Sequence, residues 1–287
     1  MGTLIAGMAL REQVGTAAGL ARDTASSLRA LRRNSAFHTP APPVHGLVLD
    51  VGSGQAAHPR CDLVVDKYVA DDFERGKPLD LAKPLVVADG HSLPFGDDTF
   101  AYVIASHVLE HATDVPRFAS ELQRVAAAGF VQVPSREAEL TFGWPFHPWL
   151  IDLRDDTLVF RPRGDQSAPL GRVFHEAFAE STLFALWFGA NRERWHHTLH
   201  WKAGFDVQVD GESAAPATAR LDVDLTLAAL PKLGAIGPEG ALRQSLRCPA
   251  DGGTLSDGTA SLTCTRCGSS YPVARGGVPL LLAEAAS

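Results

Sequence analysis

The chain has 287 residues, 45% hydrophobic and 21% charged, with 26 basic and 33 acidic side chains and a net charge of −7. That is enough chain to bury a full core and carry a small second module, and with no run of about 18 apolar residues to span a bilayer it reads as a soluble, cytoplasmic protein without a membrane span. Residues 46–245 hold 18 basic against 28 acidic side chains, a net of −10, which argues against long nucleic acid as a partner because such binding depends on neutralising phosphates.

The first stretch, "MGTLIAGMALREQVGTAAGLARDTASSLRALRRN", breaks its apolar run at Arg11, Glu12 and Gln13 before any cleavage-like site. It is expected to form an amphipathic N-terminal helical cap over residues 1–45, not a targeting peptide. From residue 46, short β-branched runs alternate with polar or helical stretches, the pattern of a parallel sheet covered by helices. The predicted strands are "GLVLDV" (46–51), "CDLVVD" (61–66), "PLVVA" (84–88), "FAYVIA" (100–105) and "GFVQVP" (129–134). Between the last two lies the clearest helix, "DVPRFASELQRVAAAG", with Asp114 as N-cap, Pro116 in the first turn and Gly129 as the stop.

After Pro134 the texture changes to a Trp-, Pro-, His- and Arg-rich stretch without a clean period, expected as a substrate-side insertion over 137–172. A helix near 175–188 follows, then "HTLHW" and "FDVQVD", expected to pair antiparallel and close the sheet. A loop and a Pro/Gly-rich linker lead into the tail. Of the four cysteines Cys61 stands alone, whereas Cys248, Cys264 and Cys267 cluster at the end, which favours a metal site or its vestige over disulfides.

The turn "DVGSGQAA" contains G-x-G-x-x-A through Gly52, Gly54 and Ala57 and raises the possibility of a dinucleotide site. Three features oppose it. Asp50 precedes the glycines, where a carboxylate repels pyrophosphate but attracts an ammonium group. Asp66 follows Gly54 by 12 residues, short of the usual separation of about 20. Pro59 cuts short any helix that would hold phosphate at its N-terminus.

Together, "VLDVGSG", Asp66, "ADGHSLPFGDDTFAYVIASHVLEH" and "FASELQRV" resemble the class I S-adenosylmethionine-dependent methyltransferases, particularly the small-molecule subgroup. The resemblance covers roughly residues 46–135. It implies a doubly wound, Rossmann-like seven-stranded α/β sheet with helices on both faces, in a methyltransferase domain over 46–240. It also implies that Asp50 and the backbone of Gly52, Ser53 and Gly54 hold the methionine end of S-adenosylmethionine. Asp66 would take the ribose hydroxyls and Asp89, followed by Gly90, the adenine amino group, with Ser106 or His107 lining the floor. The short segment 55–60 departs from the family pattern at the place that would cover the methionine end.

"HVLEH" (107–111) matches the H-x-x-E-H zinc-peptidase pattern, but Asp114 and Pro116 leave barely one turn to present a metal. The expected role of Glu110 and His111 is to orient the strand-to-helix turn. No G-x-S-x-G elbow exists, and the family's N/D-P-P-Y motif is missing after the fourth strand, which argues against DNA adenine or release-factor glutamine as targets. A sulfonium is already a good leaving group, so the protein must mainly position the acceptor in a dry pocket. If a base is needed, His147 of "GWPFHPW" is the first candidate, with Trp144, Phe146 and Trp149 as an apolar wall; His196, His197 and His200 are the others. Arg161 and Arg163 either pair with an anionic acceptor or lie in a solvated loop.

The tail from Leu246 to Ser287 resembles the Trm112-like zinc ribbons, whose pattern is C-P-x-C, a hairpin, C-x-x-C-G and a Tyr-Pro-Val strand. Here the second position is Asp251. Either Asp251 joins Cys248, Cys264 and Cys267 around a structural zinc, or the zinc is lost and the hairpin stands by its packing. Standalone ribbons of that family activate methyltransferases acting on tRNA and translation factors. Three functions follow: methylation of a small molecule on oxygen or nitrogen, methylation of a translation-related tRNA or protein, or cofactor binding without turnover.

Overall fold

A computed structural model of the chain describes residues 37–69, 75, 77–212, 241–274 and 277–283. The expected N-terminal cap lies outside the described residues up to position 36. Four short, mostly apolar runs become the central strands β1 (Val48–Val51), β2 (Leu63–Asp66), β3 (Leu85–Ala88) and β4 (Tyr102–Ser106), followed by β5 (Ala128–Pro134). They pair in parallel in the order β3-β2-β1-β4-β5. Strands buried on both faces read as continuous Val/Leu/Ile runs, as these do.

Side chains alternate between two apolar layers: Leu49, Val65, Val86 and Val103 point to one, Val48, Val64, Val87 and Ile104 to the other. Helix α1 (Val115–Val125) covers the first layer, with Asp114 accepting from Arg117 N at 3.1 Å and Val115, Phe118, Leu122 and Val125 on its buried stripe. Each large side chain buried there is worth about 1.5–3 kcal/mol. The helix stops at Val125, before the predicted stop: Gly129 is a strand residue, and a Cβ there would stand 2.6 Å from Trp201 Cζ2.

Four expectations are corrected. First, among the described residues the sheet runs through ten strands, four of them from the tail. Its far edge is β8 (His196–Lys202), antiparallel to β5, and its near edge is the tail. Second, "FDVQVD" does not pair with "HTLHW". It forms β9 (Asp206–Val209), parallel to β7 (Thr157–Pro162), which pairs antiparallel with β6 (Trp149–Arg154) in a separate three-stranded sheet against α1. Alternation specifies a strand but not its partner, and a positive φ of 61° at Ala203 and 126° at Gly204 turns the chain away from β8.

Third, the connection from β1 to β2 holds no helix and is all turn, with Gly52 and Gly54 at positive φ and Pro59 after them. Fourth, the helix expected at 175–188 is two, α3 (Gly171–Glu180) and α4 (Thr182–Ala190), after the short α2 (Arg136–Phe142). Ser181 divides them because its Oγ accepts from Phe184 N at 3.2 Å, starting a new helix.

The tail forms β10 (Leu255–Asp257), β11 (Ser261–Cys264), β12 (Ser270–Ala274) and β13 (Val278–Leu281), antiparallel in sequence. β13 then lies parallel to β3, so the tail continues the central sheet. It also grips the segment after β3: Arg247 N donates to Pro94 O at 2.8 Å and Ser92 Oγ to Pro249 O at 2.6 Å. No helix among the described residues is long and apolar enough to cross a membrane.

Candidate active site

A cavity of about 940 Å³ opens at the carboxyl ends of β1, β2, β3 and β4, the edge where open α/β sheets bind ligands. Asp50, Gly52, Ser53, Gly54, Asp66, Asp89, Gly90, Ser106 and His107 all line it, and so does His147 from the insertion. The glycine turn is built for close approach. Gly52 has a φ of +64° and no room for a side chain, since a Cβ would meet Val108 Cγ2 at 2.6 Å. Between the two glycines, the Ser53 hydroxyl is buried and has no hydrogen-bond partner. An orphaned donor in a cavity wall is a ready partner for a ligand oxygen.

Asp50 is buried, and its Oδ2 accepts from His58 N at 2.8 Å. The turn 55–60 thus folds back onto Asp50 in place of a helix. Burial pushes the Asp50 carboxyl up to about 7, against the pull of the His58 N–H. Burial also raises Asp66, whose Oδ1 accepts from Tyr68 N at 3.0 Å with an Arg75 guanidinium nitrogen 3.7 Å away. Asp89 differs. Burial would raise it, yet hydrogen bonds from His91 Nδ1 at 2.6 Å and Lys67 Nζ at 2.7 Å hold it well below the usual carboxylate range. Gly90 serves packing: a Cβ there would stand 2.1 Å from the Phe118 ring.

The insertion supplies the opposite wall through Trp144, Phe146 and His147. Trp149 does not join them. Its ring is buried in the core and its Nε1 donates to Ala112 O at 2.7 Å. His147 is held by α2, where Glu139 Oε1 lies 2.6 Å from its Nδ1 and Glu139 Oε2 accepts from Arg163 at 3.1 Å. Burial pushes the His147 imidazole down to about 3 and, with the Glu110 charge, the Glu139 carboxyl up to about 8. Two arginines considered for an anionic acceptor are consumed inside the protein: Arg163 by Glu139, and Arg161 by Asp152 at 2.5 Å and Asp210 at 3.0 Å. His197 and His200 bond to the Ile151 and Phe37 carbonyls, outside the cavity.

Sequence reasoning assigned no ligand role to Lys67, Arg75, His91 or Phe118, which also line the cavity. Nothing in their spacing marks them. Glu110 and His111 line it too, and their signal was present in "HVLEH". In the tail, Cys248, Asp251, Cys264 and Cys267 bring one ligand atom each to within 4.8 Å of one another. Two sulfurs on a tetrahedral zinc with bonds of about 2.3 Å stand about 3.8 Å apart; Cys248 Sγ and Cys267 Sγ are 3.7 Å apart. The donor set fits that metal.

Residues 49–130, from β1 through the cavity edge into β5, match a family model described as a methyltransferase domain. The chain carries a methyltransferase domain. The matched span contains the whole glycine turn and the "HVLEH" segment. Among solved structures, the domain is similar to YcgJ of Bacillus subtilis (21% identity, 37% of this chain and 51% of that one, TM-score 0.27). It is also similar to PH0226 of Pyrococcus horikoshii (17%, 37% and 61%, TM-score 0.28). A third is an S-adenosylmethionine dependent methyltransferase of Mesorhizobium loti (16%, 59% and 82%, TM-score 0.29). The chain spans about half to three fifths of the length of the first two. No curated protein matches it.

Proposed function

We propose that the protein transfers the methyl group of S-adenosylmethionine to a small molecule, on oxygen or nitrogen. One observation carries this reading: the nine side chains and glycines that the resemblance assigns to the methyl donor line a single cavity, whose far wall is an aromatic and histidine cluster. In it, Asp50 and the Gly52–Gly54 turn hold the methionine end, with the orphaned Ser53 hydroxyl on the carboxylate. Asp66 accepts from the ribose. Asp89 takes the adenine amino group on the lone pairs that Lys67 and His91 leave free. Ser106 and His107 form the floor.

A small acceptor fits better than tRNA. Two of the three arginines that would have made a basic rim, Arg161 and Arg163, are committed to acids of the fold, which leaves only the exposed Arg172, 3.7 Å from Glu176. His147 faces the acceptor as the catalytic candidate. A ring whose proton leaves at about pH 3 is a weak base, so its use is to orient or ligate more than to remove a proton. The tail is read as a Trm112-like ribbon in which Cys248, Asp251, Cys264 and Cys267 hold a structural zinc.

Incubating the full chain and a cell extract with S-adenosylmethionine labelled in its methyl group tests the acceptor. Label should enter the low-mass fraction. Label confined to RNA or protein would overturn the small-molecule reading, and no label beyond the no-enzyme control would overturn methyl transfer.

A further inference from the structure

The cavity holds donors that the methyl donor does not need. β4 ends in a left-handed turn, with His107 at φ +57°, and the chain then makes one 3₁₀ turn, Leu109–His111. Non-glycine residues in that region persist where the surrounding structure imposes them, commonly at functional sites. The turn swings Glu110 fully inside. Its Oε1 meets His107 Nδ1 at 3.2 Å, while Oε2 is buried with no hydrogen-bond partner. A buried carboxylate oxygen left without a donor is costly unless a cation meets it.

His111 and His147 stand beside Glu110, their rings 4.6 Å apart at 89°, and one ligand atom from each of Glu110, His111 and His147 lies within 4.8 Å of the others. His147 is further prepared. Its Nδ1 is engaged by Glu139, itself held by Arg163, so Nε2 is the nitrogen left for a ligand. A carboxylate behind a histidine is the usual support of a metal-binding imidazole, fixing tautomer and ring orientation.

We propose that Glu110, His111 and His147 bind a divalent transition-metal ion of the zinc, cobalt or manganese type. Two imidazoles and one carboxylate with positions left open is the ligand count of a catalytic site, not a structural one. Glu110 offsets one of the two positive charges, and Glu139 is balanced by Arg163. The ion therefore keeps an unmatched positive charge facing the cavity, which suits an oxygen-bearing acceptor, a hydroxyl or carboxylate compound. That last step rests on the methyl-transfer reading; the metal site does not. The "HVLEH" sequence thus contributes two ligands, and the third comes from the insertion in place of His107, which orients Glu110.

The test loads metal-stripped, full-length protein with cobalt(II) and follows absorption. Cobalt on the tail cysteines gives an intense thiolate charge-transfer band in the near ultraviolet. Cobalt on nitrogen and oxygen gives only weak visible bands. A nitrogen-and-oxygen cobalt equivalent is expected. It should be lost in Glu110→Gln and His147→Ala and bind about 10- to 100-fold more weakly in Glu139→Gln, with the thiolate band unchanged as the check on folding. If Glu110→Gln does not fold, His111→Asn is measured in the same way. A wild-type spectrum without the nitrogen-and-oxygen equivalent, or one that persists in the variants, overturns the site. S-adenosylhomocysteine binding in the same samples separates the two readings. Cobalt without it keeps the metal site and overturns the donor assignment, and the reverse result overturns the metal site alone.

Discussion

Two regions of this protein gather metal-type donors, and they are built on opposite plans. The tail brings three sulfurs and Asp251 together on turns and the end of β11, with Cys248 and Cys264 buried and Asp251 and Cys267 reachable from solvent. The cavity brings Glu110, His111 and His147 together inside the fold, backed by Glu139 and Arg163. Four donors close a tetrahedron and leave nothing for chemistry, whereas three leave a position open. The two regions are joined by β3, which pairs with β13 at one edge and carries Asp89 at its end.

The sharpest way to break the comparison is to remove metal from each. A chelator should lower unfolding stability through the tail by about 4 kcal/mol, the linkage expected when free metal stood near a thousand times Kd. In Cys264→Ser the tail's share of that effect should vanish and only the cavity ion's share remain, and in His147→Ala the reverse, as read by denaturant melts. Equal sensitivity of both variants would erase the distinction. Next in size is Asp66→Ala, expected to weaken S-adenosylhomocysteine binding by about 1.5–3 kcal/mol, with Asp89→Ala at the low end because its oxygens already serve Lys67 and His91. Calorimetry checks the order. Gly52→Ala, strained at φ +64° and pressed against Val108, should cost about 2 kcal/mol in a urea melt.

A further effect is on pH. Asp50 keeps its proton up to about pH 7 in the folded chain, against an ordinary value of 3.8. Between those values the folded state binds more protons than the unfolded one, so stability falls as pH rises from about 4 to 7 and then levels. Asp50→Asn should flatten that fall. An unchanged profile would show that another group sets it.

The cavity edge was legible because its signals are local. Each of β1 to β5 announces itself as an apolar run, and Asp50, Asp66 and Asp89 sit at or just beyond strand ends. Asp114 and Pro116 likewise announce the start of α1. What stayed hidden depends on partners distant in sequence. The alternation of "FDVQVD" is equally good for β8 or β7, and nothing within it selects the second. The pairing of β13 with β3 joins residues such as Leu280 and Val87, and the tail's own hairpin pattern is complete without it. Arg161 and Arg163 looked available for an acceptor because Asp152 and Glu139 carry no mark of their commitment. "HVLEH" was readable as a metal pattern, but the left-handed turn at His107, which brings Glu110 and His111 beside His147, is not a sequence feature.

The account stands most directly on calorimetric titration of the full chain with S-adenosylhomocysteine, with NADH as the control. It predicts saturable binding at one site per chain, weakened in Asp66→Ala, and no heat of binding with NADH. Binding of NADH, or no binding of S-adenosylhomocysteine by folded protein, would contradict it.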